Sequence, residues 1–211
     1  MTEDERGDPG TGPWAGLAAD GAPEAARRLL LAAVDAFAEL GYHGTSTRRI
    51  TTGAGMSAGA LYVHYPTKAD LLFRIAVLVH ESVERTLVGT LAGVEGHAPR
   101  VRALVYAFAS WHARHHRAAR VIQNELGALT GEHAERIAAH RRRVRALIHD
   151  EVQAGTAAGE FDVADVAGTA RALASLAIDV CRWYRPEGPS TPEEIGALYA
   201  HLALRMVRAA G

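Results

Sequence analysis

Residues 48–68 read Arg48-Arg49-Ile50-Thr51-Thr52-Gly53-Ala54-Gly55-Met56-Ser57-Ala58-Gly59-Ala60-Leu61-Tyr62-Val63-His64-Tyr65-Pro66-Thr67-Lys68. A short helix running through Ile50 and Ala54 meets a tight turn at Gly55-Met56. Ser57 then sits where an N-cap belongs, opening a second short helix through Tyr62. Pro66 stops that helix. Thr67, with Asp70 three residues on, resembles a capping box that starts the next one. Two short helices joined by a glycine-bearing turn form a helix-turn-helix, whose second helix enters the major groove with its N-terminal residues toward the bases. Here those residues are Ser57, Ala58, Gly59 and Ala60, small enough to let the backbone come close. Tyr62, His64 and Tyr65 carry groups that bond phosphate. Thr47, Arg48 and Arg49 open the preceding helix, where guanidinium groups suit phosphate or guanine. Lys68 begins the following helix, where an ammonium and a positive dipole end act together.

Upstream, Leu30, Val34, Phe37 and Ala38 fall on one face of a helix that begins near Glu24, and Gly41 occupies its C-terminal stop. Thr45 or Ser46 caps the helix that follows. Residues 1–22 combine Glu3, Asp4, Glu5, Asp8 and Asp20 with many Gly and Pro. This reads as a disordered acidic tail without operator contact, because too little apolar surface is present to offset ordering. Downstream the apolar period stays helical. It predicts helices over Leu71–Val79, Val101–Arg114, Arg120–Leu129, Glu132–Thr156, Asp165–Trp183 and a last one from Thr191-Pro192-Glu193-Glu194. No period-2 strand and no repeat is found.

The chain has 211 residues, is 48% hydrophobic and only 6% aromatic. Its apolar content is largely Ala, Leu and Val, which favours an all-α fold. The formal net charge is -1, so DNA binding must rest on a local patch rather than on the whole chain. A single cysteine, Cys181, suits a reducing compartment. With no leader-like or membrane-spanning run, the expectation is a cytoplasmic protein with no membrane contact.

The run Phe37-Ala38-Glu39-Leu40-Gly41-Tyr42, then Thr45-Ser46, Ile50, Ala54-Gly55-Met56-Ser57 and Gly59-Ala60-Leu61-Tyr62-Val63-His64-Tyr65-Pro66-Thr67-Lys68, resembles the DNA-binding domain of TetR/AcrR-type regulators, from about Arg27 to Ile75. The resemblance implies an all-helical homodimer on double-stranded operator DNA. A three-helix domain (23–70) reads DNA, and a larger domain (71–211) binds a small-molecule effector and dimerises. It further implies a regulator released from a palindromic operator, a repressor or alternatively an activator. The implied dimer interface lies on the last two helices, at Leu173, Leu176, Ile195, Leu198, Leu202 and Met206. Many relatives carry Lys after the recognition-helix Ser, where this chain has Ala58. Arg49 stands at a position often acidic. Gly53 costs its helix roughly 1 kcal/mol. The stretch Arg182-Trp183-Tyr184-Arg185-Pro186, Gly188-Pro189 and Thr191 resembles a subgroup that regulates fatty-acid, aromatic-acid and steroid breakdown, several members of which respond to acyl-CoA thioesters.

Candidate effector contacts are Phe108, Trp111, His112, His115, Glu125 and Arg142. His112, His115 and His116 have spacings that could gather a metal, but no adjacent Cys or carboxylate completes a site, so no metal and no cofactor is expected. Glu125 shares a face with Val121, Ile122 and Leu129 and is either paired with an arginine such as Arg142 or a polar anchor for ligand. Arg141, Arg142, Arg143 and Arg145 are solvated surface or phosphate-binding groups. Trp183-Tyr184-Arg185 reads as dimer or core packing. The chain shows no nucleophile elbow, phosphate loop or complete metal signature, so no enzyme is expected. A helical module without DNA binding is the remaining alternative.

Overall fold

The computed structural model describes residues 22–207; the expected acidic tail lies almost wholly outside them. The all-α expectation holds, with no β-strand among the described residues. The helices are α1 (Glu24–Gly44), α2 (Thr47–Gly53), α3 (Ala60–His64), α4 (Lys68–Thr90), α5 (His97–Arg114), α6 (His116–Glu125), a 3-10 turn (Leu126–Ala128), α7 (Gly131–Ala157), α8 (Val166–Trp183) and α9 (Pro192–Met206). They divide into two compact units. The first holds residues up to Val79 together with Arg117–Ile137. The second holds His80–His116 and residues from Ala138 onward. The sequence placed the boundary at residue 70. The first unit extends further along α4 and takes in α6 from Arg117 on, the 3-10 turn and the start of α7.

In the first unit, α1 buries Leu29, Leu30, Val34 and Phe37 and packs on α2 and α3. Ile50 and Leu61 are fully buried, each stabilising the unit by about 2 kcal/mol. Gly41 stands at φ 71°, breaking the helical run inside α1. Ser46, not Thr45, caps α2, accepting from the Arg49 N–H. Thr45 is buried instead, its hydroxyl shared between the carbonyls of Ala36 (3.0 Å) and Gly41 (2.7 Å). Gly55, at φ 65°, makes the turn, and Arg28 donates to the Ala54 carbonyl beside it. Ser57 does not cap α3. The Ala60 N–H bonds the Ser57 carbonyl at 3.0 Å, so residues 57–59 form a turn and the helix starts at Ala60 with no side-chain cap. Thr67 Oγ1 accepts from the Asp70 N–H at 3.1 Å, as expected. The Asp70 carboxylate, however, accepts the Thr67 hydroxyl rather than a backbone N–H, so only half of the box forms.

In the second unit, α8 and α9 both pack on α5 and touch each other only lightly. Gly196 allows α9 to approach: a Cβ there would stand 2.9 Å from the Tyr106 carbonyl oxygen. The Thr191/Glu194 capping box is complete, with Pro192 in the first turn. α5 begins at His97, four residues before the expected Val101, because Pro99 falls in the first turn where no N–H is needed. α6 ends at Glu125 and closes in the 3-10 turn, short of the expected Leu129.

Candidate nucleic-acid interface

Ile50 and Leu61, fully buried, pin α2 and α3, which fixes what faces outward. Arg48, Arg49, Ser57, Ala58, Gly59, Tyr62 and Val63 are exposed, and Thr47 and His64 half-exposed. Val63 is 79% exposed, more than a fold-supporting residue would be, and sequence reasoning passed over it. Gly59 is the most informative position. Its φ is an ordinary -80°, and a Cβ there would meet nothing within 4 Å. The fold itself therefore does not require glycine at residue 59, and the bare backbone between Ala58 and Ala60 suits a close external surface.

The charged groups are unequal. The Arg48 side chain makes no ion pair among the described contacts, whereas Arg49 Nη2 lies 3.1 Å from the Glu39 carboxylate in an exposed pair, worth at most about 1 kcal/mol. Tyr65 is buried, and its hydroxyl lies 3.4 Å from the Ala26 carbonyl, so it is turned away from the outer face. Lys68 is half-buried. Its Nζ donates to the carbonyls of Tyr42 (2.7 Å) and Thr45 (2.8 Å) and sits 4.3 Å from the Tyr42 ring centroid. Two of its three N–H groups are thus directed at the end of α1 and the residue after it, and one remains. Burial pulls the Lys68 pKa down, and the charge of Glu125 opposes the shift.

Glu125 is brought to this same corner. Its Oε1 is 3.4 Å from where a Gly41 Cβ would stand. Within the first unit it lies beside Gly41, and its charge acts on Lys68. Nothing in the local sequence pattern signals this, since it depends on how α6 meets α1. Further along, α7 grips α4: the His133 ring stacks on Phe73 at 4.0 Å, the Arg136 guanidinium lies 5.0 Å from the same ring, and His133 Nε2 is 3.5 Å from Asp70 Oδ1.

Of the expected effector contacts, the second unit gathers four. Phe108, Trp111 and His112 are buried. His112 packs on both aromatic rings at 4.7 and 5.1 Å, and His115 lies 4.6 Å from Trp111. The indole N–H donates to Ser82 Oγ at 3.1 Å. Burial drives the His112 pKa down to about 4, so the ring is neutral, and its Nδ1 lies 2.9 Å from the Phe108 carbonyl as the donor. Glu125 belongs to the first unit. Arg142 is exposed and lines a separate groove of about 540 Å³ with Arg145, His149, Asp150 and Arg171.

The expected interface residues also separate. Leu176, Leu198, Leu202 and Met206 are exposed on α8 and α9, joined by Trp183. Leu173 and Ile195 are buried within the second unit, because their helical phase turns them inward. No described group of His, Cys, Asp or Glu is arranged to hold a metal, and no described helix is long and apolar enough to cross a membrane.

A buried α1–α2–α3 frame that presents a short, small-residue helix start beside arginines defines a helix-turn-helix DNA-binding protein. The family model of bacterial regulatory proteins of the tetR family matches residues 29–75, and the Tetracyclin repressor-like C-terminal domain matches residues 95–207. The chain belongs to the TetR family of transcriptional regulators. It is similar to a bacterial regulatory protein of that family from Rhodococcus RHA1, with 39% identity, a TM-score of 0.85, and 90% of this chain and 100% of the other covered. It is 29% identical to the HTH-type transcriptional repressor KstR2 of Mycolicibacterium smegmatis over 83% of this chain and 87% of that protein. It also resembles the ketosteroid transcriptional regulator KstR2 of Mycobacterium tuberculosis, at 26% identity and a TM-score of 0.78, with 85% and 93% covered.

Proposed function

We infer that two copies of this chain read a palindromic operator as a repressor, each placing α3 in the major groove. The observation that carries this is Gly59, an exposed glycine that the protein's own fold does not demand, lying between Ala58 and Ala60 at the start of the recognition helix. Ser57, Tyr62 and Val63 face the bases, and Thr47, Arg48, Arg49, His64 and the third Lys68 N–H face phosphates. Leu176, Leu198, Leu202 and Met206, with Trp183, form the dimer face, which sets two recognition helices about 34–36 Å apart or at a larger spacing. The relatives named repressors support the direction of the output.

The effector site is the cluster of Phe108, Trp111, His112 and His115. Buried aromatic rings with a neutral imidazole suit the apolar acyl part of a lipophilic acid derivative, such as an acyl-CoA thioester, rather than a charged group. Its effect on DNA binding equals its differential affinity for the two conformers.

The test is fluorescence anisotropy on duplex from upstream of the protein's own gene, with Gly59→Leu beside wild type. The expected result is tight wild-type binding, at least tenfold weaker for Gly59→Leu, with unchanged thermal stability. Equal binding by the two proteins would sink the recognition-helix assignment. Adding a panel of acyl-CoA thioesters tests the effector, and no release by any of them removes that class. Sedimentation of a Leu198→Glu/Leu202→Glu variant tests the interface, and a persistent dimer would place it elsewhere.

A further inference from the structure

Lys68 is held by more than its hydrogen bonds. Its ammonium sits on the carbonyls of Tyr42 and Thr45, and the carboxylate of Glu125 lies against Gly41, the residue before Tyr42. Adjacent Cα atoms are only 3.8 Å apart, so a negative charge from the last residue of α6 and the positive charge at the start of α4 meet at neighbouring residues, and the Glu125 carboxylate acts on the ammonium through space. Glu125 makes no described ion pair within 4 Å of Lys68, and the carbonyls hold the ammonium without it. Its influence is through space.

We propose that Glu125 is an electrostatic brake on operator binding: its carboxylate competes with DNA phosphate for the charge of Lys68. The brake rests on the proposed phosphate role of Lys68. Unpaired through-space interaction between charges near a protein surface alters affinity by small factors, about two- to fivefold. The carboxylate is placed where α6 gives way to the 3-10 turn at Leu126–Ala128. Gly41, at φ 71°, is the contact point: a Cβ there would stand in van der Waals contact with the carboxylate oxygen, at 3.4 Å.

The test uses the full chain and a 30-base-pair random-sequence duplex, so neither the operator nor the effector need be known. Binding is measured by anisotropy across a salt series for wild type, Glu125→Gln, Lys68→Met and the double variant, with circular dichroism confirming the fold of each. Lys68→Met weakening the binding establishes the phosphate contact on which the proposal stands. Glu125→Gln, which keeps the shape, is then expected to bind about two- to fivefold more tightly, with a steeper salt dependence. The gain is expected to vanish in the Lys68→Met background. A merely structural Glu125 would leave the salt slope alone or weaken binding. Glu125→Gln binding no tighter than wild type, or a gain that survives in the double variant, overturns the brake. If wild type binds no duplex at any salt concentration, it is the DNA-binding reading that fails, before Glu125 is questioned.

Discussion

The imidazole of His133 lies flat on the ring of Phe73, with centroids 4.0 Å apart and planes within 5° of parallel. This stack couples the start of α7 to the start of α4 inside the DNA-reading unit, with Arg136 on the same ring and Asp70 within reach of the imidazole. Phe73→Ala is expected to cost about 2–3 kcal/mol in urea denaturation and His133→Ala about 1 kcal/mol, with a coupling near 1 kcal/mol in the double variant. Strict additivity of the two single changes would mean the stack is incidental.

His112 makes the second unit acid-sensitive. Its folded pKa of about 4 lies below the ordinary 6.5, so the unfolded chain binds the proton more readily. The stabilisation from the neutral ring is whole above pH 6.5 and lost as the pH falls toward 4, on the order of 3 kcal/mol in all. The acidic groups that contribute their own loss near pH 4 to 4.5 are shared by a His112→Gln variant. Melting temperature followed from pH 7.5 to 5 is expected to fall for wild type and to stay flatter for the variant. Parallel curves would contradict the assignment.

Arg48 and Arg49 are neighbours in sequence with different freedom. Arg48 has no described ion-pair partner, and Arg49 is engaged by Glu39. Arg48→Ala should weaken binding to all duplexes and lower the magnitude of the salt slope by about 0.9. Arg49→Ala should do less, and Glu39→Gln should strengthen binding by releasing Arg49. Anisotropy across a salt series reads all three; a larger loss for Arg49→Ala than for Arg48→Ala would reverse the ranking.

Gly196 is where α9 touches the backbone of α5. Gly196→Val would drive a side chain into the Tyr106 carbonyl and is expected to destabilise the second unit by about 2–4 kcal/mol. Gly59→Val, at an open position, should leave stability within about 1 kcal/mol of wild type. Urea unfolding of the two variants gives the comparison directly; equal losses would mean that α9 yields at Gly196.

The sequence made the helix-turn-helix and the start of α9 readable because their signals are local. Gly55 in the turn, the halt at Pro66 and the Thr191/Glu194 box each depend on residues a few positions away. Ser57 misled for the same reason: as a good capping residue it pointed to a helix start, but the chain spans 57–59 with a backbone turn first. The packing partners were harder to foresee. Leu173 and Leu176 are only about 60° apart around α8, yet one is buried and the other exposed, and only the placement of α5 decides where the buried stripe ends. Glu125 has an apolar face that suggests a buried anchor in the larger domain. Its position at Gly41 follows from how α6 meets α1, which no periodicity encodes.

Helix α5 supports both α8 and α9, and leaves the outer edge of each lined with leucine, methionine and tryptophan. If a second copy covers those edges, folding and pairing draw on the same free energy, and mass action makes the persistence of the protein depend on its abundance. A sparse population would then be eroded by proteolysis faster than a dense one. The amount of active regulator would rise more steeply than its rate of synthesis, giving the cell a threshold that no effector has to supply.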